Sequence, residues 1–375
     1  MVEVTWSQVS ARRLERQALD VPSEQSSPAG IVAAMCGAHA QVLSAAELSV
    51  GLRLGGATRT HVREALWNER TLIKTHGPRG TVHLLPTRDL PMWVDVLSSV
   101  QATPAASSPS VRLTPDQTDE VVEAIRKVVD GVELTIDELS EAVVAATGPW
   151  AGDLVLPAFQ GMWPRWRTAH ATAAHRGAFV FGRNRGRKVT YTSPPPGLPP
   201  VGSRDELVRR YLTAYGPATP EQFAQWLGTP VRFARELFEA ACLEEVLFEG
   251  EPAWVVAGDT AFPQEPPRGV RLLPYFDAYV VAGRPRERLY PGAAARRALA
   301  GGQAGNHPVL LVDGVVAGVW HQRRSGTKIE VTVEPLRDLT PAQLRELDEQ
   351  VERVGAILEG RPRLTIGTVT VGAHA

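Results

Sequence analysis

A chain of 375 residues, 43% apolar and 22% charged, has the composition of a globular protein with a core divided over two or more modules. Its formal charge of −1 excludes a uniformly basic polyanion binder, and its two cysteines, Cys36 and Cys242, exclude a disulfide framework or a cysteine metal site. No apolar run approaches the ~20 residues that span a bilayer, and "MVEVTWSQVSARRLERQAL" lacks the apolar core of a secretory signal, so a cytoplasmic protein with reduced thiols is expected.

The first apolar helical run, Ile31–Met35, stops at Cys36-Gly37, and a new helix is expected to begin at Ser44. Between them, in "MCGAHAQVLSAAE", lie two hydrogen-bonding side chains one residue apart, His39 and Gln41. The stretch ends in "SAAEL" (44–48), which shares the pattern [ST]-x-x-[EQ]-[LF] with "TIDEL" (135–139), "TPEQF" (219–223) and "TPAQL" (340–344). Each reads as a capping box, in which the hydroxyl accepts from an early helix N–H and the Glu or Gln reaches back.

Three of these boxes open similar sequels. "ELSVGLRLGG", "THVREALWNERTLIKTH" and "RGTVHLLP" predict a helix, a turn, a second helix and a strand pair. "DELSEAVVAATG" leads through "MWPRWRTAHATAAHRG" to "AFVFGRNRGRKVTYTS", two strands about an arginine-rich turn. "EQFAQWLGTP" and "VRFARELFEAACLEEVLFEGEPAWVVAG" repeat the pattern. A helix-turn-helix followed by a β-hairpin is a winged helix, a unit that commonly presents a helix and basic residues to DNA. Past Gly258, "VRLLPYFDAYVVAG", "PVLLVDGVVAGVWHQRRSGTKIEVTVEP" and "RLTIGTVTVG" predict a sheet or partial barrel interrupted by one helix.

The expected organisation is therefore α+β. It comprises N-terminal helices and a first winged helix (1–102), a second (111–195), a third (203–258) and a β-rich scaffold (259–375) with a helix at 341–358. "TPAASSPS" (103–110) and the Pro-rich "SPPPGLPPVGS" (193–203) read as linkers.

The near-zero net charge hides segregation. Residues 160–210 carry ten Lys and Arg against two acids, and 268–328 ten against three, whereas 115–141 and 221–265 are each net −7. Such blocks can build one basic face on a neutral protein, although solvated surface arginines give the same counts. The candidate DNA contacts are Arg79 and His83 on a first-wing strand, and Arg183, Arg185, Arg187 and Lys188 in the second wing. Arg284 and Arg286 in "FDAYVVAGRPRER" join them, with His321, Arg323, Arg324 and Lys328 at a hairpin tip. Asp277 is read as a structural bridge, Trp163 and Trp166 as core at helical spacing, and both cysteines as buried small apolar residues.

Taken in order, "GAHAQ", "RGTVHLLP", "YGPATPEQFAQWLG", "LLPYFDAYVVAGR" and "VDGVVAGVW" resemble a bacterial winged-helix superfamily over essentially the whole chain. It contains the AlkZ-like DNA glycosylases, which excise bulky N7-alkylguanines and unhook cross-links made by genotoxic natural products. The resemblance implies three tandem winged helices and a β-rich part forming a concave DNA-binding channel. It also implies a Gln-x-Gln catalytic pair, matched here by His39 and Gln41 with His in the first position.

Alkylation at guanine N7 leaves a cationic base that departs without protonation, so the enzyme need only hold a water at C1′ and stabilise an oxocarbenium-like sugar. The Gln41 amide can donate and accept, and a neutral His39 can act as a base, a role worth ~10²–10⁴-fold. No lysine nucleophile is nominated, so the expected enzyme is monofunctional, with neither metal nor cofactor. It would act as a monomer on double-stranded DNA carrying alkylated purines, in an open channel, in repair or in self-resistance to a genotoxin. The alternative is a non-catalytic winged-helix regulator or lesion-binding protein. A small-molecule hydrolase lacks a nucleophile partner for His39.

Overall fold

The computed structural model describes residues 2–100, 111–158, 161–198 and 203–372. The linker expected at 103–110 and positions 199–202 of the second one lie outside the described residues. The fold is mixed α+β.

The helices Leu43–Gly51 and Arg59–Trp67 are followed by antiparallel strands Leu72–His76 and Val82–Pro86. The preceding helix, Pro28–Ala34, is stopped by two consecutive left-handed residues, Cys36 (φ 53°) and Gly37 (φ 99°). A side chain at Gly37 would press against Leu85, since its Cβ would lie 3.1 Å from Leu85 Cδ2. The reversed chain then runs as a two-residue strand, Ala38–His39, antiparallel to Val82–Pro86 with His39 opposite His83. The stretch between the two expected helices is thus the edge of a sheet.

The capping box expected at Ser44 is not formed. The helix begins at Leu43 after Val42, which makes no side-chain cap. Glu47 is instead fully buried, accepting from Arg63 Nε at 2.6 Å, an ion pair that outweighs a surface cap. The boxes at Thr135–Glu138, Thr219–Gln222 and Thr340–Gln343 are present, as are others at Thr5–Gln8, Thr58–His61 and Thr114–Gln117.

Strands from the first and second segments merge into one six-stranded sheet. Its order is Ala38–His39, Val82–Pro86, Leu72–His76, Val180–Phe181, Thr190–Thr192 and Leu134–Thr135, joined across the segments at Lys74 and Phe181. The helices Arg204–Tyr215, Pro220–Leu227 and Val231–Ala240 contribute Tyr211, Tyr215, Phe223 and Trp226 to the same apolar cluster as Ile31, Val32, Met35 and Trp93. The Tyr215 hydroxyl donates to the Met35 carbonyl. The third segment is thereby fastened to the helix that ends just before His39.

The C-terminal sheet runs Val270–Leu273, Val309–Val312, Val315–Ser325, Lys328–Pro335 and Arg361–Ile366. Its last pair is parallel, which the helix Pro341–Ile357 permits by carrying the chain back. That helix buries Leu347, Val351, Val354 and Ile357 in the cluster formed with this sheet.

Candidate active site

His39 is held between two rings. Phe276 stacks on it with centroids 4.4 Å apart and planes at 24°, and His83 meets it edge-on at 5.0 Å and 63°. Phe276 sits in the left-handed region (φ 56°), which is rare for an aromatic residue and strained. Its N–H donates to the Gly305 carbonyl at 2.9 Å. Gly305 (φ 96°) must be glycine at this approach, because its Cβ would lie 3.1 Å from Phe276 Cα.

The next residue, Asp277, anchors this corner. It caps the helix Ala278–Ala282 by accepting from the Tyr279 N–H at 3.0 Å. It also accepts from Ser49 Oγ at 2.6 Å and from the Arg53 guanidinium at 2.8 and 2.9 Å, with both ionic side chains 0% exposed. Ser49 lies on the helix that follows His39, so one buried ion pair fixes both sides of the histidine. Asp277 is the structural bridge expected.

Burial and the nearby Arg79 cation push the His39 pKa down to about 4, so the ring is neutral at physiological pH. Its Nδ1 is buried with no hydrogen-bond partner, whereas Nε2 is not among the buried unpartnered atoms. A lone pair is cheaper to leave unsatisfied than an N–H, so the proton belongs on Nε2, making His39 a donor toward the cleft. The general-base role expected of it would need the other tautomer, with the Nε2 lone pair facing the cleft. His83 has the opposite arrangement, with Nδ1 and the Thr81 carbonyl 2.8 Å apart, which assigns the Nδ1–H as donor.

His39 opens on a cleft of about 400 Å³, whose wall includes Arg79, Gln225, Trp226, Phe276, Arg284, Arg286 and Asn306. Arg79 is not on a strand, as expected, but in the turn Pro78–Gly80 at φ 57°. Its guanidinium donates to the Trp226 carbonyl in the last turn of the helix Pro220–Leu227. Gly228 admits it there, because a Cβ at that residue would come within 2.9 Å of Arg79 Cα. Arg284 donates to Gln225 Oε1 at 2.8 and 3.1 Å. Arg286 donates to the Val280 and Val281 carbonyls, the latter at 2.6 Å.

The cleft thus gathers His39, Arg79, Arg284 and Arg286 from the sequence-derived candidates. Gln41 is exposed two residues beyond His39 and is not part of this wall. His83 is 5% exposed and packed under His39, so it has no surface to offer DNA. In the second wing Arg185 pairs with Glu138 at 2.7 Å and Lys188 with Asp137 at 2.8 Å, both at the surface, and Arg183 donates to the neutral Asn68 amide at 2.7 Å. Only Arg187 of that group has no partner among the described residues.

At the other hairpin Arg324 donates to the Leu358 carbonyl at 2.6 Å, closing a helix end, and His321 is half-buried. Arg323 and Lys328 there are exposed and have no partner among the described residues. Neither hairpin reaches the cleft wall.

Trp166 is buried as expected. Trp163 is not core but a strand residue, 44% exposed beneath the Arg167 guanidinium at 4.1 Å. Cys36 is buried, and Cys242 is exposed, contrary to expectation. Sequence reasoning missed Phe276, Gln225 and Asn306. "FDAYVVAG" drew attention to Asp277, but nothing in it marks a left-handed phenylalanine.

A neutral histidine at the mouth of a cleft walled by arginines suits an enzyme that works on a polyanion, and comparison with known proteins gives that enzyme its class, the DNA glycosylases. The family model for "DNA glycosylase AlkZ-like" matches residues 32–357. The chain is 30% identical to the interstrand DNA cross-link repair glycosylase of Streptomyces sahachiroi, over 98% of this chain and 100% of that protein. The solved Streptomyces sahachiroi DNA glycosylase AlkZ superposes with a TM-score of 0.79 at 30% identity, again over 98% and 100% of the two chains. The chain belongs to the AlkZ-like family and is a DNA glycosylase. No helix among the described residues is long and apolar enough to cross a membrane.

Proposed function

We propose that this chain is a monofunctional glycosylase that hydrolyses the N-glycosidic bond of bulky or cationic N7-alkylguanine in double-stranded DNA. Interstrand cross-links are among its substrates, as the name of the Streptomyces sahachiroi relative states for that protein. In this reading the winged-helix units at 1–102, 111–195 and 203–258 and the β-rich part at 259–375 form a concave channel for a cytoplasmic monomer. Its setting is self-resistance to a genotoxic natural product or general alkylation repair.

The observation that carries the reading is the single corner where neutral His39, capped by Phe276, meets the arginine wall. His39 Nε2–H donates to the departing purine, which gains electron density at its ring nitrogens as the bond to C1′ breaks. Gln41 is exposed and outside the cleft wall, and is assigned the incoming water only by its place two residues after His39. The cationic base leaves as a neutral one, the water adds to C1′, and its proton passes to solvent. No group is needed to protonate the leaving base.

The test is incubation of a duplex carrying a defined N7-alkylguanine, followed by mild alkali to reveal abasic sites. Strand cleavage is expected. His39→Ala and Gln41→Ala should each slow the single-turnover rate at least about tenfold, with DNA affinity nearly unchanged. Tight binding with no cleavage above background would overturn the glycosylase reading in favour of a lesion-binding protein.

A further inference from the structure

The three arginines of the cleft differ from most others in the molecule in how they are held. Many other buried or half-buried arginines meet carboxylates, Arg53 with Asp277, Arg63 with Glu47, Arg210 with Asp89 and Arg297 with Glu334, although Arg13 and Arg353 also meet only backbone carbonyls. Arg79, Arg284 and Arg286 meet only neutral acceptors, namely backbone carbonyls and the Gln225 amide oxygen. Among the described residues nothing acidic lines the cleft. The acid with an electrostatic influence on the group is Glu287, which is exposed and acts on Arg284 alone.

The neutral acceptors orient the guanidiniums without cancelling their charge. Arg284 and Arg79 both disfavour the charged form of Arg286, and Arg284 does the same to Arg79. Like charges held together in a half-buried cleft are costly unless an anion joins them. Each guanidinium has five N–H donors in a fork that matches phosphate oxygens, and each retains donors that the protein does not use.

We propose that Arg79, Arg284 and Arg286 form a site for one backbone phosphate of the damaged strand, beside the nucleotide presented to His39, and that this phosphate assists bond cleavage as well as binding. The inference rests on the glycosylase reading. As the glycosidic bond breaks, positive charge passes from the purine to the sugar. Three uncompensated guanidiniums at that point oppose the change, and a phosphodiester seated among them removes part of the opposition. Because His39 opens on the same cleft, the phosphate belongs to the linkage immediately 5′ or 3′ of the lesion.

The experiment replaces single phosphodiesters near the lesion by uncharged methylphosphonates, one position at a time. In the binding arm the duplex carries a tetrahydrofuran abasic analogue, which needs no chemistry. One flanking substitution is expected to weaken wild-type binding about tenfold, and to weaken Arg284→Met/Arg286→Met or Arg79→Met less than about threefold. Arg79→Met leaves the chain's own Arg284 and Arg286 contacts in place, so it reads out the site even if the double variant does not fold.

In the rate arm, at saturating enzyme, the same substitution in an N7-alkylguanine duplex should slow wild-type cleavage about tenfold more. Equal losses in wild type and both variants would overturn the phosphate site. Coupled binding with an unchanged saturated rate would overturn its part in cleavage. Coupled binding by a wild-type protein that cleaves no adduct supports the site and overturns the proposed reaction instead.

Discussion

His39 owes its chemistry to what surrounds it rather than to its own intrinsic pKa. With Phe276 on one face, His83 at its edge and no acceptor at Nδ1, the ring is dry on its inner side and offers one polar atom outward. A donor role has a direct consequence. His39→Gln restores an N–H donor but no base, so it should retain activity within about tenfold of wild type, whereas His39→Ala should not. If Gln and Ala are equally slow in single-turnover assays, His39 is a base.

The pH dependence carries the same information. A folded-state pKa of about 4 leaves His39 neutral through the physiological range. Because the imidazolium keeps its Nε2–H, a donor's contribution to the rate should be flat from about pH 6 to 9 and survive below about 4, whereas a base's would be lost as pH falls through about 4. A rate inflection near 6.5 that disappears in His39→Gln would contradict the burial argument.

Among the elements, those with chemical punctuation were legible in the sequence and those without it were not. The capping boxes at Thr135, Thr219 and Thr340 were readable because each Thr and its Glu or Gln partner lie three residues apart and need no distant group. The same pattern at Ser44 failed because its glutamate had a stronger, non-local partner in Arg63. The strand Ala38–His39 could not be read, since two residues carry no periodicity and their pairing with Val82–Pro86 is set by the left-handed turn before them.

Asp277 was readable as a bridge but its partner Arg53 was not, because 224 positions separate them. Removing one member of such a buried pair strands the other charge. Asp277→Ala should therefore destabilise the protein by about 3–5 kcal/mol in chemical denaturation. A loss below about 1 kcal/mol would show that Arg53 finds other partners and that the pair does not fix the Phe276 corner.

Across the whole molecule, the charge blocks are not independent of one another. The acidic block 115–141 and the basic block 160–210, read as able to build one basic face or as solvated surface charge, meet where Glu138 and Asp137 pair with Arg185 and Lys188 at the surface. The fold also brings together cations that lie far apart in the chain, such as Arg79 with Arg284 and Arg286. Counting charges along a chain does not reveal which of them pair.

The shared six-stranded sheet also gathers histidines at its seam. His76, His170 and His175 pack with Phe179 and Phe181 where the first two segments meet, and burial lowers all three pKa values, His170 to about 3 and His175 to about 4. Unfolded imidazoles protonate near 6.5, so in the interval below that the unfolded chain binds more protons than the folded one. Stability is present in full above about 6.5 and declines as pH falls toward these folded values, by up to about 1.4 kcal/mol per unit for each such group. Urea midpoints at pH 7 and pH 5 should differ markedly for wild type and less for His170→Leu. Identical differences would mean that this cluster does not set acid sensitivity.

The cleft has one further property, which concerns the order in which the chain is made. His39 emerges early, Arg79 soon after, the Gln225–Trp226 segment much later, and Phe276, Arg284, Arg286 and Asn306 last. A nascent chain halfway through synthesis already holds the histidine and its strand. It has no ring above them, no buried aspartate to fix the neighbouring helix and one arginine of three. The enzyme is switched on by its own completion, and a ribosome stalled before residue 306 releases a fragment with no finished site to set upon DNA.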